Sequence, residues 1–196
     1  MIVLSLQGGM AVGKTTAARY LARHAPDLHV CLEDNRAVIG QVQRLGLDKT
    51  RCDDYIRIQR LWLQHEVDRW QQARPWPCTV MDFGAEEIEF YTLHYPRTIG
   101  QDWDVEGPLA RELAAVRRCM PRRILFLDAP DPVLRCRKEG DAARDRGFFE
   151  HYLQELLPLK RAWFAQKDNV DVLQTAGMTP EQVGAAALDW AVRWSR

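Results

Sequence analysis

The sequence lacks a long apolar run, an excess of charge and a regular cysteine pattern. No apolar run approaches the roughly 20 residues that span a bilayer, and the short N-terminal run has no basic region before it, unlike a signal peptide. Lys and Arg (27) balance Asp and Glu (27), so we expect neither a nucleic-acid polymer nor a membrane as a partner. The five cysteines include no C-x-x-C pair, which argues against a disulfide framework and favours a cytoplasmic location.

The sequence also lacks internal repeats, low-complexity segments and a recognisable linker. A chain of 196 residues that is 46% hydrophobic and 28% charged is typical of a globular protein, and we expect a single domain over residues 1–196. Short apolar runs alternate with longer helical patterns. The predicted strands cover residues 2–6, 29–33, 78–82, 123–128 and 170–173. This alternation predicts a parallel sheet with helices on both faces.

The longest helical pattern covers residues 53–74. Apolar side chains recur along it at helical spacing and predict its buried face. The residues on that face are Ile56, Leu63, Val67 and Trp70. Trp62 and Trp70 would suit either the core or the contact of a homodimer, and the sequence leaves both open.

Three other helices carry boundary signals. The first, over residues 15–25, ends before Pro26. The helix predicted over residues 148–164 contains Pro158, which would interrupt or kink it because proline has no backbone N–H. Near the C-terminus, Thr179 fits an N-cap and Pro180 the first position of a helix.

The segment GGMAVGKTT joins the first predicted strand to the first predicted helix. It matches the phosphate-binding loop pattern G-x-x-x-x-G-K-[ST] in full. Its glycines let successive backbone amides point into one concavity, and the following helix adds its positive end. Lys14 supplies a charge for the β- and γ-phosphates of ATP, Thr15 a hydroxyl for Mg²⁺, and Thr16 reaches the α-phosphate side. The predicted ATP-binding residues are Gly8, Gly9, Met10, Ala11, Val12, Gly13, Lys14, Thr15 and Thr16.

Acidic residues stand at the ends of three further predicted strands. Glu33 and Asp34 follow the second strand, Asp82 ends the third, and Asp128 ends the fourth. The carboxyl ends of parallel strands meet at one edge of the sheet, where such folds bind their ligands. A carboxylate there can bind Mg²⁺ or accept the proton of an attacking hydroxyl. We expect this of Glu33 and Asp82, and a structural role for Asp128.

These motifs, together with the segment FLDAPDPVLRCRKEGDAARDRGFFEHYLQEL, resemble the deoxynucleoside kinase and thymidylate kinase group of P-loop kinases. The resemblance implies a three-layer α/β/α sandwich whose five parallel strands lie in the order 2-3-1-4-5. It also implies an ATP- and Mg²⁺-dependent phosphotransferase with a small acceptor, first of all a nucleoside or a nucleotide.

The resemblance assigns roles by position. Glu33 is the implied general base, with Asp34 as its substitute, and Asp82 is the implied magnesium carboxylate beside Thr15. A small basic lid at about residues 137–147 would close over the phosphates. The lid arginines that we favour for this role are Arg137, Arg144 and Arg146.

One departure from the group's pattern concerns the acceptor. Kinases of this group carry an arginine after the acid of the third strand, whereas Asp82 is followed by Phe83 and Gly84. An antibiotic, a sugar or another non-nucleotide metabolite therefore remains an alternative acceptor, and a regulatory NTPase is a further alternative. The residues predicted to bind the acceptor are Glu33, Arg57, Tyr91 and Arg97, of which Arg97 would partly replace the missing arginine. Gln59 and Gln64 are further polar candidates on the helix that carries Arg57.

Overall fold

The computed structural model describes residues 1–139 and 146–196. Within them, parallel strands form one sheet in the order β2-β3-β1-β4-β5. The strands are β1 (Ile2–Gly8), β2 (His29–Cys31), β3 (Cys78–Asp82), β4 (Arg123–Asp128) and β5 (Val170–Gln174). The predicted fold class, strand positions and strand order are confirmed.

Helices connect the strands and flank the sheet. They are α1 (Lys14–His24), α2 (Arg36–Arg44), α3 (Cys52–Ala73), α4 (Ala85–Thr98), α5 (Glu106–Arg117), α6 (Asp131–Glu139), α7 (Arg146–His151), α8 (Leu157–Ala165) and α9 (Pro180–Trp194). Helix α1 packs against α9, and α3 packs against α4 and α5. In the part of the chain that the structure describes, none of these helices is both long and apolar enough to cross a membrane.

The central strand β1 is buried along almost its whole length, as expected for a parallel sheet that is covered on both faces. Its neighbour β3 is buried throughout. In the register of the two strands, Leu6 lies opposite Asp82. The phosphate loop that follows β1 and the residues that follow β3 therefore emerge side by side at the carboxyl edge of the sheet.

The predicted buried face of α3 is confirmed in part. Leu63 is fully buried, and Ile56, Val67 and Trp70 pack against the core from half-buried positions, as does Trp62. The buried side of the helix also includes Glu66 and Arg69, which pair with each other. Neither α2 nor α4 was predicted from the sequence.

The helix around Pro158 is interrupted, as predicted. A π-helical turn, Tyr152–Leu156, stands between α7 and α8, and Pro158 occupies the first turn of α8. Proline offers no N–H to the carbonyl four residues earlier, and the wider turn absorbs the change of register. The predicted cap of α9 is also confirmed, since the Thr179 hydroxyl accepts from the Gln182 amide at 3.2 Å in a reciprocal capping box.

Candidate active site

The phosphate loop has the backbone that an anion-binding turn requires. Gly8 and Gly13 adopt positive φ angles of 136° and 107°, and a Cβ at Gly8 would lie 2.0 Å from the Leu127 carbonyl oxygen. Only glycine fits there. Helix α1 begins after Gly13 with no side-chain cap and no acidic residue in its first turn, which leaves its N-terminal amides available to an anion.

The Lys14 side chain folds back into this loop. Its ammonium group donates to the carbonyl oxygens of Gly8 at 3.2 Å and Gly9 at 2.9 Å, so the charge sits within the concavity. Thr15, next to it, is half-buried, whereas Thr16 is exposed. Loop and lysine together form a compact positive site at the N-terminus of α1.

A cavity of about 590 Å³ opens beside the loop. Its walls contain Gly8, Met10 and Lys14 of the loop and the carboxylates of Glu33 and Glu87. The remaining walls are mainly aromatic, formed by Tyr55, Trp62, Phe83, Tyr91, Tyr95, Phe148 and Tyr152. The structure thus brings the predicted residues Lys14, Glu33 and Tyr91 to one space.

Glu33 and Asp34 have different surroundings. Glu33 lines the cavity and accepts a hydrogen bond from the Asn35 side chain. Although Glu33 keeps contact with solvent, burial raises the pKa of its carboxyl, Asp82 and Glu87 raise it further, and Lys14 opposes them. Asp34 forms a two-point ion pair with Arg36 outside the cavity, which holds its pKa below the usual range. Of the two carboxylates, that of Glu33 therefore faces the cavity.

Asp82 is fully buried at the end of β3, and neither carboxylate oxygen has a hydrogen-bond partner among the described residues. An unpartnered buried carboxylate is costly, and a divalent cation would satisfy it. Within residues 1–139 and 146–196, no three His, Cys, Asp or Glu side chains form a metal cluster. Mg²⁺ commonly takes only one or two carboxylates and completes its shell with phosphate and water oxygens, so the single unpartnered carboxylate of Asp82 is compatible with this mode of binding.

Arg69, which the sequence did not single out, holds the strand ends in place. Its side chain is 6% exposed and pairs with Glu66 at 2.6 Å, and its guanidinium donates to the carbonyl oxygens of Asp82 and Phe83, each at 3.2 Å. It also reaches the Cys31 carbonyl at 3.4 Å. These contacts fix the ends of β2 and β3 relative to each other. They therefore position the backbone that carries the carboxylates of Glu33 and Asp82.

A second lysine, also missed, lies beneath the loop. Lys160 of α8 is completely buried, donates to the Gly8 carbonyl at 2.9 Å and forms an ion pair with Glu87. Burial lowers the pKa of Lys160 to about 8 although Glu87 opposes the shift. Lys160 therefore links the phosphate loop to the cavity wall. The available sequence signal was the basic pair Lys160 and Arg161 within the otherwise apolar segment around Pro158.

Of the three predicted lid arginines, the described part of the chain includes the side chain of Arg137. The Arg137 guanidinium donates to the Val12 carbonyl at 3.2 Å and to the Thr175 carbonyl at 2.6 Å, so it joins the phosphate loop to the turn after β5. Arg144 and the side chain of Arg146 lie outside the described residues. Asp128 is bound by Arg161 and accepts from the Ala129 amide at 2.9 Å, in keeping with the structural role expected for it.

Two predicted acceptor residues do not reach the cavity. Arg57 is exposed and lies 3.6 Å from Asp54, because it sits on the solvent side of α3. Arg97 lines a separate depression at the end of α4. We therefore withdraw both from the acceptor site. Gln59, the polar candidate two residues after Arg57, does line the cavity and accepts a hydrogen bond from the Thr92 hydroxyl at 2.9 Å.

No protein-family model and no curated protein sequence matches the chain. Solved structures do match over nearly its full length. Deoxyadenosine kinase from M. mycoides with bound dATP is 12% identical with a TM-score of 0.72, covering 97% of this chain and 99% of that one. Thymidylate kinase from Candida albicans is 14% identical with a TM-score of 0.68, covering 98% and 91%. The resemblance to these kinases is thus confirmed as a likeness of fold.

Proposed function

We propose that the chain is an ATP- and Mg²⁺-dependent phosphotransferase whose acceptor is a nucleoside or a nucleotide. The observation that carries the proposal is the single cavity that joins Lys14 of the phosphate loop to the Glu33 carboxylate. The kinases of the same fold act on, or are solved with, deoxynucleosides and their phosphates, which supports the acceptor class.

Each residue of the site has a distinct task in this reaction. The loop amides and Lys14 would hold the β- and γ-phosphates, and Thr15 with Asp82 would hold Mg²⁺, which neutralises phosphate charge. Glu33 takes the proton that the acceptor hydroxyl releases as its oxygen bonds to the γ-phosphorus, while the bond from that phosphorus to the β-phosphate breaks and ADP leaves. Arg144 and Arg146 remain our candidates for stabilising the transferring group, and Arg137 for bracing the loop.

Lys14→Ala tests the proposal directly. We expect ATP-dependent phosphorylation of the acceptor to fall by at least about 10²-fold, because a charge aimed at the developing phosphate oxygens is lost. The readout is ADP release with and without acceptor, over a panel of nucleosides, nucleotides, sugars and antibiotics. The surface variant Lys167→Ala is the matched control and should keep full activity.

Undiminished phosphorylation by Lys14→Ala would refute this proposal. ADP release at the same rate with and without every acceptor would favour a regulatory NTPase instead. A second acceptor class, a non-nucleotide metabolite, is favoured by Phe83, which lines the cavity where related kinases carry an arginine. Phosphorylation confined to sugars or antibiotics in the panel would establish that class.

A further inference from the structure

We infer that Lys160 is a positioning residue of the phosphate loop. Its buried ammonium group holds the Gly8 carbonyl while Lys14 turns from the loop to the phosphates of ATP. This role rests on the proposed function, in which Lys14 binds the β- and γ-phosphates. It adds a second lysine that serves the same step through the loop backbone, without contact to the nucleotide.

The two lysines meet at one backbone oxygen. The Lys160 ammonium donates to the Gly8 carbonyl at 2.9 Å, and the Lys14 ammonium donates to the same oxygen at 3.2 Å. Lys14 also donates to the Gly9 carbonyl at 2.9 Å. Because an ammonium group has three N–H donors, Lys14 must release a carbonyl before it can donate to both phosphates. Gly8 is the carbonyl that keeps a second donor when Lys14 leaves.

The Gly8 carbonyl needs that second donor because Gly8 is buried at the end of β1. A buried carbonyl without a hydrogen bond carries the full cost of its desolvation. With Lys160 in place, the oxygen stays bonded when Lys14 turns to the phosphates. A planar trans peptide couples this oxygen to the path of the chain from Gly8 into Gly9, so Lys160 keeps the start of the loop in place.

Helix α8 brings Lys160 to this position. Its buried residues are Leu157, Lys160 and Phe164, which recur at helical spacing on one face. A Cβ at Gly9 would lie 3.6 Å from the Leu157 side chain, so this face packs directly against the loop. A lysine in the middle of a buried face is costly where an apolar side chain would suffice, which favours a role beyond packing.

Glu87 supplies the countercharge that the buried Lys160 requires. The two side chains form an ion pair, and Glu87 also lines the cavity beside Lys14. The pair therefore neutralises a carboxylate that would otherwise repel the triphosphate. Removing both members separates this charge effect from the contact to Gly8, because the carboxylate is then absent and only the loss of the carbonyl's donor remains.

Calorimetric titration of the full chain with Mg²⁺ and a non-hydrolysable ATP analogue tests this role. We expect Lys160→Met to raise the Kd of the analogue by at least about tenfold, which corresponds to about 1.4 kcal/mol. Glu87→Gln combined with Lys160→Met should show a loss of at least about tenfold as well, although it removes a carboxylate beside the phosphates. The double variant leaves no uncompensated buried charge and so also serves if the single variant does not fold.

Leu113→Ala is the matched control for a general loss of stability. Leu113 is buried in α5, and its truncation weakens the core without removing a contact to the loop. All variants are titrated at a temperature at which thermal melts show them folded, and we expect Leu113→Ala to bind the analogue as tightly as the parent protein. Equal losses of affinity in Leu113→Ala and the lysine variants would reduce Lys160 to a structural residue and overturn the inference.

Two other outcomes would also overturn it. Parent-like affinity in both lysine variants would show that the Gly8 carbonyl does not need Lys160. Weak binding in Lys160→Met with full recovery in the double variant would assign the effect to the charge of Glu87. In either case, loss of binding in Lys14→Ala would leave the proposed function standing, whereas a parent protein that takes up no analogue would contradict both.

Discussion

Glu33 and Asp34 are neighbours in the chain, yet their carboxylates meet different charges. The Glu33 carboxyl shares the cavity with Lys14 and Glu87, whereas Asp34 is neutralised by Arg36 at the surface. A general base works best when its pKa lies near the working pH. The raised pKa of Glu33 moves it toward that condition, and the lowered pKa of Asp34 moves it away.

Glu33→Gln is expected to lower kcat by about 10²- to 10⁴-fold, the range for loss of a general base. In the parent protein the base must be ionised, so the rate falls as the pH drops through the raised pKa of Glu33. This acidic limb therefore lies above the usual glutamate range near 4.5 and should vanish in Glu33→Gln. Steady-state rates measured against pH give both quantities.

Asp34→Asn is the matched control for that measurement. It removes the adjacent carboxylate, which pairs with Arg36 outside the cavity, and should leave both the rate and the acidic limb in place. The opposite pattern, with the limb lost in Asp34→Asn and kept in Glu33→Gln, would make Asp34 the base.

At the scale of elements, helix α4 buries acidic residues that the sequence pattern does not mark as buried. Its first two turns bury Glu86, Glu87 and Glu89, which in the sequence are typical of an exposed face. Their partners are Gln7, Lys160 and Arg117, which belong to other elements. Hydrophobic periodicity could not predict this helix, because the burial of its acids depends on residues that are distant in the chain.

Lys160 ties α8 to both α4 and the phosphate loop, and Lys160→Met tests this link. The substitution leaves Glu87 buried without its cation, and breaking a buried pair of this kind costs about 3–5 kcal/mol. We expect the free energy of unfolding to fall by that amount in urea titrations. Glu87→Gln combined with Lys160→Met should recover part of the loss, because no uncompensated charge remains.

The surface pair of Arg135 with Glu150 provides the control for that experiment. Arg135→Met should leave the free energy of unfolding almost unchanged, since exposed ion pairs are screened by water and salt. An equally small effect of Lys160→Met would mean that the buried pair contributes nothing to holding the loop and the cavity wall together.

At the scale of the whole molecule, the sequence predicted the features that lie within one contiguous stretch of chain. It missed the contacts between residues that are distant in the chain. The phosphate loop and the five strands are contiguous patterns, and the order of the strands came from the resemblance that those patterns carry. Arg57, Gln59 and Gln64 of α3 were proposed for the acceptor by residue type, and of these only Gln59 lies on the face that α3 turns to the cavity. Lys160 meets Gly8 across 152 positions of the chain, a pairing that no local pattern encodes.

The site also predicts how the stability of the whole molecule responds to its ligand. A ligand that binds only the folded state stabilises it by about 2.7 kcal/mol at 100 times its Kd, which for a chain of this size raises Tm by about 5–10 °C. We expect Mg²⁺-ATP to produce this shift in a thermal melt and Lys14→Ala to abolish most of it. Removing Mg²⁺ with EDTA should reduce the shift in the parent protein but not in Asp82→Asn, since only the parent has the buried carboxylate that would hold the ion. If Tm did not respond to Mg²⁺-ATP, the loop would have no role in binding a triphosphate.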